Sequence, residues 1–364
     1  MGKSHKAKYG QFNTGINECE FTLNSLQKYT DIQGEVLEPS FGTGNFVRSL
    51  QQYPVNIDAF EVDKLVYKSI EGVNTVLGDF LLTDFDKQYD FIVGNPPYIE
   101  LTYSFYDDKE VSKLKSSYKF EGRGRVNLVH LFMDKSFELL KPNGYLGYLL
   151  PSTILSSPWY NDIRKKIYEE YTVLEIVENV PFKEVSMNIC LLVLKKQQDP
   201  EHNNIVESNG FYTLSTVKSS GTTLEDKGFK VGVGGILWYR VKDTLTDDQT
   251  HKTLVYSNNI KKGMLVYPTK LKSKIKGKKQ FIRYSGETIQ NCIIMPRVVG
   301  KKMRAVLLEN NTTHVFENHV MIITHPDLEK LRELYSVLIE EKVNFKEYFN
   351  STNITSKEIL NFRY

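Results

Sequence analysis

In Asp90-Phe91-Ile92-Val93-Gly94-Asn95-Pro96-Pro97-Tyr98 a short apolar strand runs into a proline-braced turn. Tyr89 to Val93 reads as a buried strand, with Asp90 near its start, and Gly94 ends the run. Pro96 and Pro97 fix φ and remove two amide donors. Such a turn holds carbonyl oxygens rigidly beyond the carboxyl end of a sheet, where open α/β folds place ligands. Asn95 adds a side-chain carbonyl, and Tyr98 adds a flat ring. Two acceptors and a ring suit the exocyclic amine of a nucleobase: the acceptors take its N–H groups and the ring stacks on the base. The bland alternative is a stiff surface turn.

Upstream, Glu35-Val36-Leu37-Glu38-Pro39-Ser40-Phe41-Gly42-Thr43-Gly44-Asn45-Phe46 supplies a second anchor. Val36 and Leu37 end a strand, Gly42 and Gly44 allow a tight turn, and Phe46 begins a helix. The loop lacks the third glycine of the dinucleotide fingerprint. Glu38 at the strand end disfavours a pyrophosphate and favours a cationic ligand, such as the amino-acid part of S-adenosylmethionine. Glu61 lies in the strand Ile57–Asp63, 17 residues past Gly44, near the spacing at which an acid reads ribose hydroxyls; the competing reading is a solvated loop acid. Asp79 is placed to accept from an adenine amine, and Phe80 to stack on the ring; the competing reading puts Phe80 in the core.

Residues 1–16 read as a mobile arm that becomes ordered at Tyr9-Gly10-Gln11-Phe12-Asn13-Thr14-Gly15. This arm is positioned to lie over a ligand, with Thr14 offering a hydroxyl and an amide; the alternative is a helix cap at Thr14 or Asn17. Residues 17–30 read as a helix. After the Asn-Pro-Pro-Tyr turn comes a long loop, 99–124, rich in Tyr, Lys and Ser. Arg123 and Arg125 sit beside Asn127-Leu128, where a helix starts and runs to Leu140. His130 is an alternative general base, though its apolar neighbours favour packing or a phosphate contact. The Lys141-Pro142-Asn143-Gly144 turn leads to a strand over Tyr145–Leu150, and further strands follow at Val173–Val177 and Ile189–Leu194. Phe182 serves either as a second base-stacking face or as a hydrophobic plug. Alternating strands and helices from 35 to 196 predict a doubly wound, mostly parallel sheet with an antiparallel hairpin at one edge.

The polar run Lys195–Asn204 is the expected domain boundary, giving a catalytic domain over 1–200 and a second domain over 205–364. Past it the pattern becomes short and β-rich, with an amphipathic helix over Leu328–Glu341. From Lys261 to Arg304 there are ten Lys and three Arg against one acid, Glu287, an excess of 13 − 1 = 12 positive charges. Lys261, Lys262, Lys270, Lys272, Lys274, Arg297, Lys301 and Lys302 are the candidate phosphate contacts, interleaved with Tyr267, Phe281 and Tyr284. A solvated face is the competing reading, but such faces usually mix both signs.

Hydrophobic residues make up 40% of the chain, as in a globular protein, and no run approaches the ~20 apolar residues of a membrane span. The basic start, Met1 to Lys6, is not followed by an apolar stretch, so it does not read as a signal peptide. Cys19, Cys190 and Cys292 are far apart, which argues against a disulfide framework or a structural zinc and fits a reduced cytoplasmic protein; no metal is expected.

These segments together resemble the gamma-type (Taq-like) S-adenosylmethionine-dependent N6-adenine DNA methyltransferases of restriction–modification systems. The matches are Gly10-x-Phe12-x-Thr14, Glu38-Pro39-x-x-Gly42-x-Gly44, Glu61-x-Asp63, Asp79-Phe80, Asn95-Pro96-Pro97-Tyr98, Asn127-Leu128 and Phe182-x-x-Val185-Ser186, in the family's order. The carboxyl half is more loosely similar to target-recognition domains, notably near Glu317-Asn318-His319-Val320. Gly15 departs from the family, which usually has Pro there. The resemblance implies that Thr14 and Glu38 hold the methionine end of the cofactor, Glu61 its ribose, and Asp79 and Phe80 its adenine. Pro39, Gly42, Gly44 and Asn95 complete that site. It also implies that a flipped adenine stacks on Tyr98 and Phe182, with the Asn95 side chain and the Pro96 carbonyl accepting from its amine.

The implied partner is double-stranded DNA, with a cognate restriction endonuclease as a further candidate. A monomer is expected, with a dimer as the alternative, and a cytoplasmic location beside the bacterial nucleoid. Three rival functions share parts of the pattern: glutamine-amide methylation of a protein, adenine methylation of RNA, and DNA binding without catalysis.

Overall fold

β1 (Gly34–Glu38) and β4 (Tyr89–Gly94) lie side by side and parallel, with Val36 opposite Phe91 and Leu37 opposite Ile92. In this computed structural model the described residues are 9–10, 12–117, 126–182, 187–208, 210–215, 222–261, 263–267, 279–298, 304–339 and 354–362. From β1 the sheet grows outward through β2 (Val55–Glu61) to β3 (Asn74–Leu77). From β4 it grows the other way through β5 (Leu140–Pro151), β7 (Ile189–Lys196) and β6 (Tyr171–Val180). The order β3-β2-β1-β4-β5-β7-β6 reverses direction between β1 and β4, so the carboxyl ends of those two strands flank the crevice of an open α/β sheet. The expected class therefore stands. β7 runs antiparallel to both β5 and β6, and the edge hairpin is β6–β7.

Strand residues of alternate parity fall into two separate hydrophobic clusters. Leu37, Ile92, Leu146 and Leu192 join one, while Val36, Phe91, Val93 and Leu191 join the other. Successive side chains of a strand point to opposite faces, so both faces of this sheet are buried, as a doubly wound sheet requires. Truncating one of these side chains, as in Leu37→Ala, should cost about 2–5 kcal/mol. The helix Ile16–Gln27 packs Cys19, Leu23 and Leu26 into the second cluster, a helical spacing of apolar residues. The helix Leu128–Leu139 is capped by Asn127, whose side chain accepts from the Val129 amide at 3.0 Å. Asn143, at φ 64, makes the turn foreseen at 141–144, inside the stretch that continues as β5.

The chain divides into compact units at Met1–Lys218 and Ser219–Tyr364. The division lies past the polar break, because the hairpin of β8 (Ile205–Ser208) and β9 (Phe211–Leu214) packs on the first unit. Ile205 and Leu214 bury into its core, and Arg164, itself fully buried, donates from Nε to the Tyr212 carbonyl at 2.5 Å. The boundary expected at 200/205 thus moves to 218/219: a polar stretch marks exposure, not the end of packing.

The second unit is β-rich, as its sequence pattern predicts. One sheet has the order β10 (Lys230–Val233), β17 (Val320–Thr324), β14 (Cys292–Pro296), β15 (Val306–Leu308). The helix Leu328–Ile339 buries Leu331, Leu334 and Leu338 in the same cluster as Ile293, Met295, Met321 and Ile323. A second sheet joins β11 (Leu245–Thr246), β13 (Phe281–Ile282), β12 (Lys252–Val255) and β16 (His314–Phe316). Among the described residues no helix is long and apolar enough to cross a membrane, and no cluster of metal-ligating side chains occurs. The three cysteines are buried and free.

Candidate active site

A cleft with about 880 Å³ of non-atom space, part of it open to solvent, lies at the reversal point of the sheet. Its floor is the glycine loop. The Phe41 amide donates to the Phe60 carbonyl at 2.9 Å and the Gly44 amide to the Phe41 carbonyl at 2.7 Å. Gly42 and Gly44, at φ 53 and 83, take backbone conformations that a side chain would strain. Glu61 organises this loop from β2: its Oε2 accepts from the Gly42 amide at 2.9 Å and its Oε1 from the Asp63 amide at 2.8 Å. Burial raises the Glu61 carboxyl above the usual range, and those two backbone donors pull it back. Each oxygen keeps a further lone pair for a ligand hydroxyl.

The far wall carries Asp79 and Phe80. Asp79 Oδ1 accepts from the Leu81 amide at 2.8 Å and from the Tyr106 hydroxyl at 3.1 Å. Burial raises the Asp79 carboxyl, and the Tyr106 bond opposes that shift. Phe80 faces two ways. It lines the cleft, and it is buried among Phe60, Phe85 and Phe132, the last at a ring-centroid distance of 5.1 Å.

Pro39, Gly42, Thr14, Asn95, Pro96 and Pro97 also line the cleft. Glu38, Gly44, Tyr98 and Phe182 do not. Glu38 is completely buried behind the loop, where Oε1 accepts from the Ser40 amide at 3.2 Å and Oε2 is sealed without a hydrogen-bond partner. Burial, aided by the charge on Glu61, drives its carboxyl well above the usual range. Tyr98 is tucked against the sheet: its hydroxyl lies 2.9 Å from the Leu149 carbonyl and bonds the Asn95 side-chain oxygen. The Phe12 ring covers it at a centroid distance of 5.7 Å. Phe182 packs, partly buried, against the second core cluster.

Several lining residues lack any motif of their own. Phe132 follows Leu128 by one helical turn, so that spacing was a usable signal. Tyr106 and Phe105 come from the stretch read as a long loop, in which the structure forms a helix over Asp108–Ser117. Asn45 directly follows the glycine turn and donates from Nδ2 to the Thr14 carbonyl at 2.7 Å. His130, the alternative base, is buried, stacked on Tyr160 at 4.5 Å, and bonded through Nε2 to the Trp159 carbonyl at 2.6 Å, which is a packing role. Burial lowers its pKa.

Of the cationic candidates, Lys261 is exposed and Arg297 is half-buried, its Nε sealed without a hydrogen-bond partner. Tyr267 stacks on His314 at 6.2 Å. Arg123, Arg125, Lys262, Lys270, Lys272, Lys274, Lys301 and Lys302 lie outside the described residues.

With this geometry in place, residues 21–184 match the family model of the Eco57I restriction-modification methylase. Those residues form a restriction–modification methylase domain. Type II methyltransferase M.AccI of Acinetobacter calcoaceticus is 33% identical over 187 residues, covering 48% of this chain and 33% of its own length. Modification methylase CviBIII of Paramecium bursaria Chlorella virus NC1A is 31% identical over 209 residues, covering 54% and 52%. Type II methyltransferase M.CvrRI of Paramecium bursaria Chlorella virus XZ-6E is 24% identical over 348 residues, covering 90% and 86%. The match thus spans a third of the first relative and about half of the second.

The methylase domain fits S-adenosylmethionine by its donor set. Acids close β1 and β2, a third follows β3, and Phe80 and Phe132 offer aromatic faces. Glu38 itself is sealed behind the loop, so the fit to the cleft rests on Glu61, Asp79 and the two aromatic faces.

Proposed function

We propose that this chain methylates N6 of an adenine flipped out of double-stranded DNA, as the modification activity of a restriction–modification system. The observation that carries this reading is the placement of Asn95 and Pro96 on the cleft, at the carboxyl end of β4 beside the cofactor floor. When bound, S-adenosylmethionine supplies an electrophilic methyl group on a sulfonium. Glu38 and Thr14 are assigned to its methionine end, Glu61 to the ribose, and Asp79 and Phe80 to the adenine.

The adenine amine is a poor nucleophile because its lone pair is delocalised into the ring. Asn95 Oδ1 and the Pro96 carbonyl, accepting from its two N–H groups, favour a more tetrahedral nitrogen and free that pair. Bound there, S-adenosylmethionine would supply the methyl group and keep the sulfur bonding pair, while Asn95 and Pro96 would hold the amine nitrogen toward it and the displaced N–H proton would pass to solvent. No general base is required, so the residues act by positioning and electrostatics. Tyr98 and Phe182 are assigned to stacking on the extruded base, which requires the Phe12 ring to leave the face of Tyr98. The basic run 261–304 of the second unit is assigned to the DNA backbone.

The test is methyl transfer from tritiated cofactor to plasmid DNA, ribosomal RNA and protein in parallel, with nucleoside analysis of the product. The reading requires N6-methyladenine in DNA, lost in Asn95→Ala. Label in RNA or in a glutamine amide replaces the DNA reading. Absence of transfer and of cofactor binding leaves a DNA-binding module.

A further inference from the structure

Trp159 is 55% exposed, on a corner that buried side chains hold from beneath. A lone exposed aromatic is ordinary; the support under this one is not. After Pro151 ends β5 the chain makes two 3-10 turns, Ser152–Leu155 and Pro158–Tyr160. The fully buried Arg164 donates to the carbonyls of Ile154 at 2.9 Å, Ser157 at 2.8 Å and Ser156 at 3.4 Å. The buried His130 holds the Trp159 carbonyl itself at 2.6 Å; a carbonyl only accepts, so Nε2 donates. Ser157 caps the second turn, accepting from the Trp159 amide at 3.4 Å, and Pro158 fixes φ there. The same support seats Ile154, Leu155 and Tyr160 in the core. That role alone needs no aromatic at 159, whose ring adds nothing to the core cluster.

The corner stands beside the Asn95-Pro96-Pro97-Tyr98 turn. Gly94 pairs with Tyr148, so turn and corner leave adjacent parallel strands at one edge of the sheet. The Tyr98 hydroxyl lies 2.9 Å from the Leu149 carbonyl, two residues before Pro151. Trp159 is nonetheless not among the residues that line the cofactor cleft. It is therefore placed for the part of the substrate that stays outside. An adenine leaving the duplex uncovers base faces there, on its former partner thymine and on its stacking neighbours. An indole held on a fixed backbone stacks on such a face with little loss of freedom.

We propose that Trp159 stacks on a base face uncovered when the target adenine is extruded. This rests on the proposed methylation of an extruded adenine in DNA, and adds a contact to the DNA that stays behind.

The chain has two tryptophans, and Trp238 is buried. The emission difference between wild type and Trp159→Phe therefore isolates Trp159. The probes are a short duplex carrying the site mapped from wild-type methylation of a plasmid and a scrambled duplex, each with S-adenosylhomocysteine in place of the methyl donor. The expected result is quenching of Trp159 by the site duplex and much less by the scrambled one. Trp159→Ala should raise the Kd for the site duplex roughly 5–100-fold, with the S-adenosylmethionine Kd and the thermal melt at wild-type values, and Trp159→Phe should recover most of that loss. An abasic residue opposite the target adenine identifies the face: the alanine penalty vanishes on that duplex if thymine is the partner and persists if a flanking base is. The inference is overturned if the site duplex leaves Trp159 emission unchanged, if both duplexes quench it equally, if Trp159→Ala binds like wild type, or if Trp159→Phe binds no better than a folded Trp159→Ala. Should the alanine variant unfold, the quenching comparison decides alone. A wild-type protein that methylates no DNA overturns instead the functional reading on which the inference stands.

Discussion

Gly94 lies directly against the carboxylate of Glu38: a Cβ on residue 94 would sit 2.5 Å from Glu38 Oε1. The two residues end the adjacent strands β4 and β1 at the reversal of the sheet. The glycine therefore makes room for a buried acid just before the Asn95-Pro96-Pro97-Tyr98 turn. Gly94→Ala should destabilise the protein by about 1–3 kcal/mol through overpacking, and should weaken cofactor binding by displacing Glu38. Urea denaturation and calorimetry check both; an alanine variant with wild-type stability and affinity rejects the packing argument.

Glu38 should also set a pH dependence. Burial raises its folded-state pKa, and burial raises that of Glu61 likewise. The folded state thus holds protons that the unfolded state has released, so stability is highest at or below the ordinary carboxylate range. It is lost as pH rises from there through the raised folded values. Glu38→Gln should flatten that loss and stabilise the ligand-free protein by about 1–3 kcal/mol at neutral pH, while weakening the binding of a cationic cofactor. Denaturation midpoints across pH 4–9 for both proteins decide it; a midpoint rising with pH in the wild type alone contradicts the assignment.

Asn95→Ala should cut turnover by at least ~100-fold with cofactor affinity nearly unchanged, read from single-turnover kinetics beside equilibrium binding. Tyr98→Ala should behave differently. Its ring packs against both core clusters, so the protein should also lose about 3 kcal/mol of stability. A Tyr98→Ala protein that melts like wild type would show that the ring contributes nothing to the core.

Gly15 carries φ −72 and ψ 162, a conformation that proline adopts without strain. Gly15→Pro should therefore stabilise the fold by about 0.4–1 kcal/mol, through the unfolded chain. The nearest obstacle to a Cβ there is the flexible end of Glu18, at 2.3 Å. A lowered melting temperature would mean that the arm needs the glycine.

Tyr106 donates to Asp79 Oδ1. Tyr106→Phe should remove one donor from that carboxylate at a cost of about 0.5–1.5 kcal/mol in cofactor affinity, seen as a rise of a few-fold to tenfold in Kd. An unchanged Kd would leave Tyr106 outside the adenine wall.

Legibility from the sequence followed the range of the interactions. Each acid at or just past a strand end, Glu38, Glu61 or Asp79, is announced within a few residues by an apolar run before it and a turn after it. Asn95-Pro96-Pro97-Tyr98 is equally local. By contrast, the membership of the Ile205–Leu214 hairpin depends on contacts with Asn161 and Arg164 more than 40 residues away, which no nearby composition reports. The same holds for Phe182, whose surroundings come from several strands.

The sequence by itself determined the doubly wound sheet, the order of its acids and the proline-braced turn, because period-two burial and turn chemistry are written in neighbouring residues. Only the tertiary structure decided that Glu38 lies sealed behind the cleft with one oxygen unpartnered, that Tyr98 is covered by Phe12, and that Thr14 meets the Asn95 amide. Those facts include side-chain contacts between Thr14 and Asn95, 81 residues apart, and between Phe12 and Tyr98. Orientation is set by packing and hydrogen-bond geometry in three dimensions, and a linear pattern carries neither.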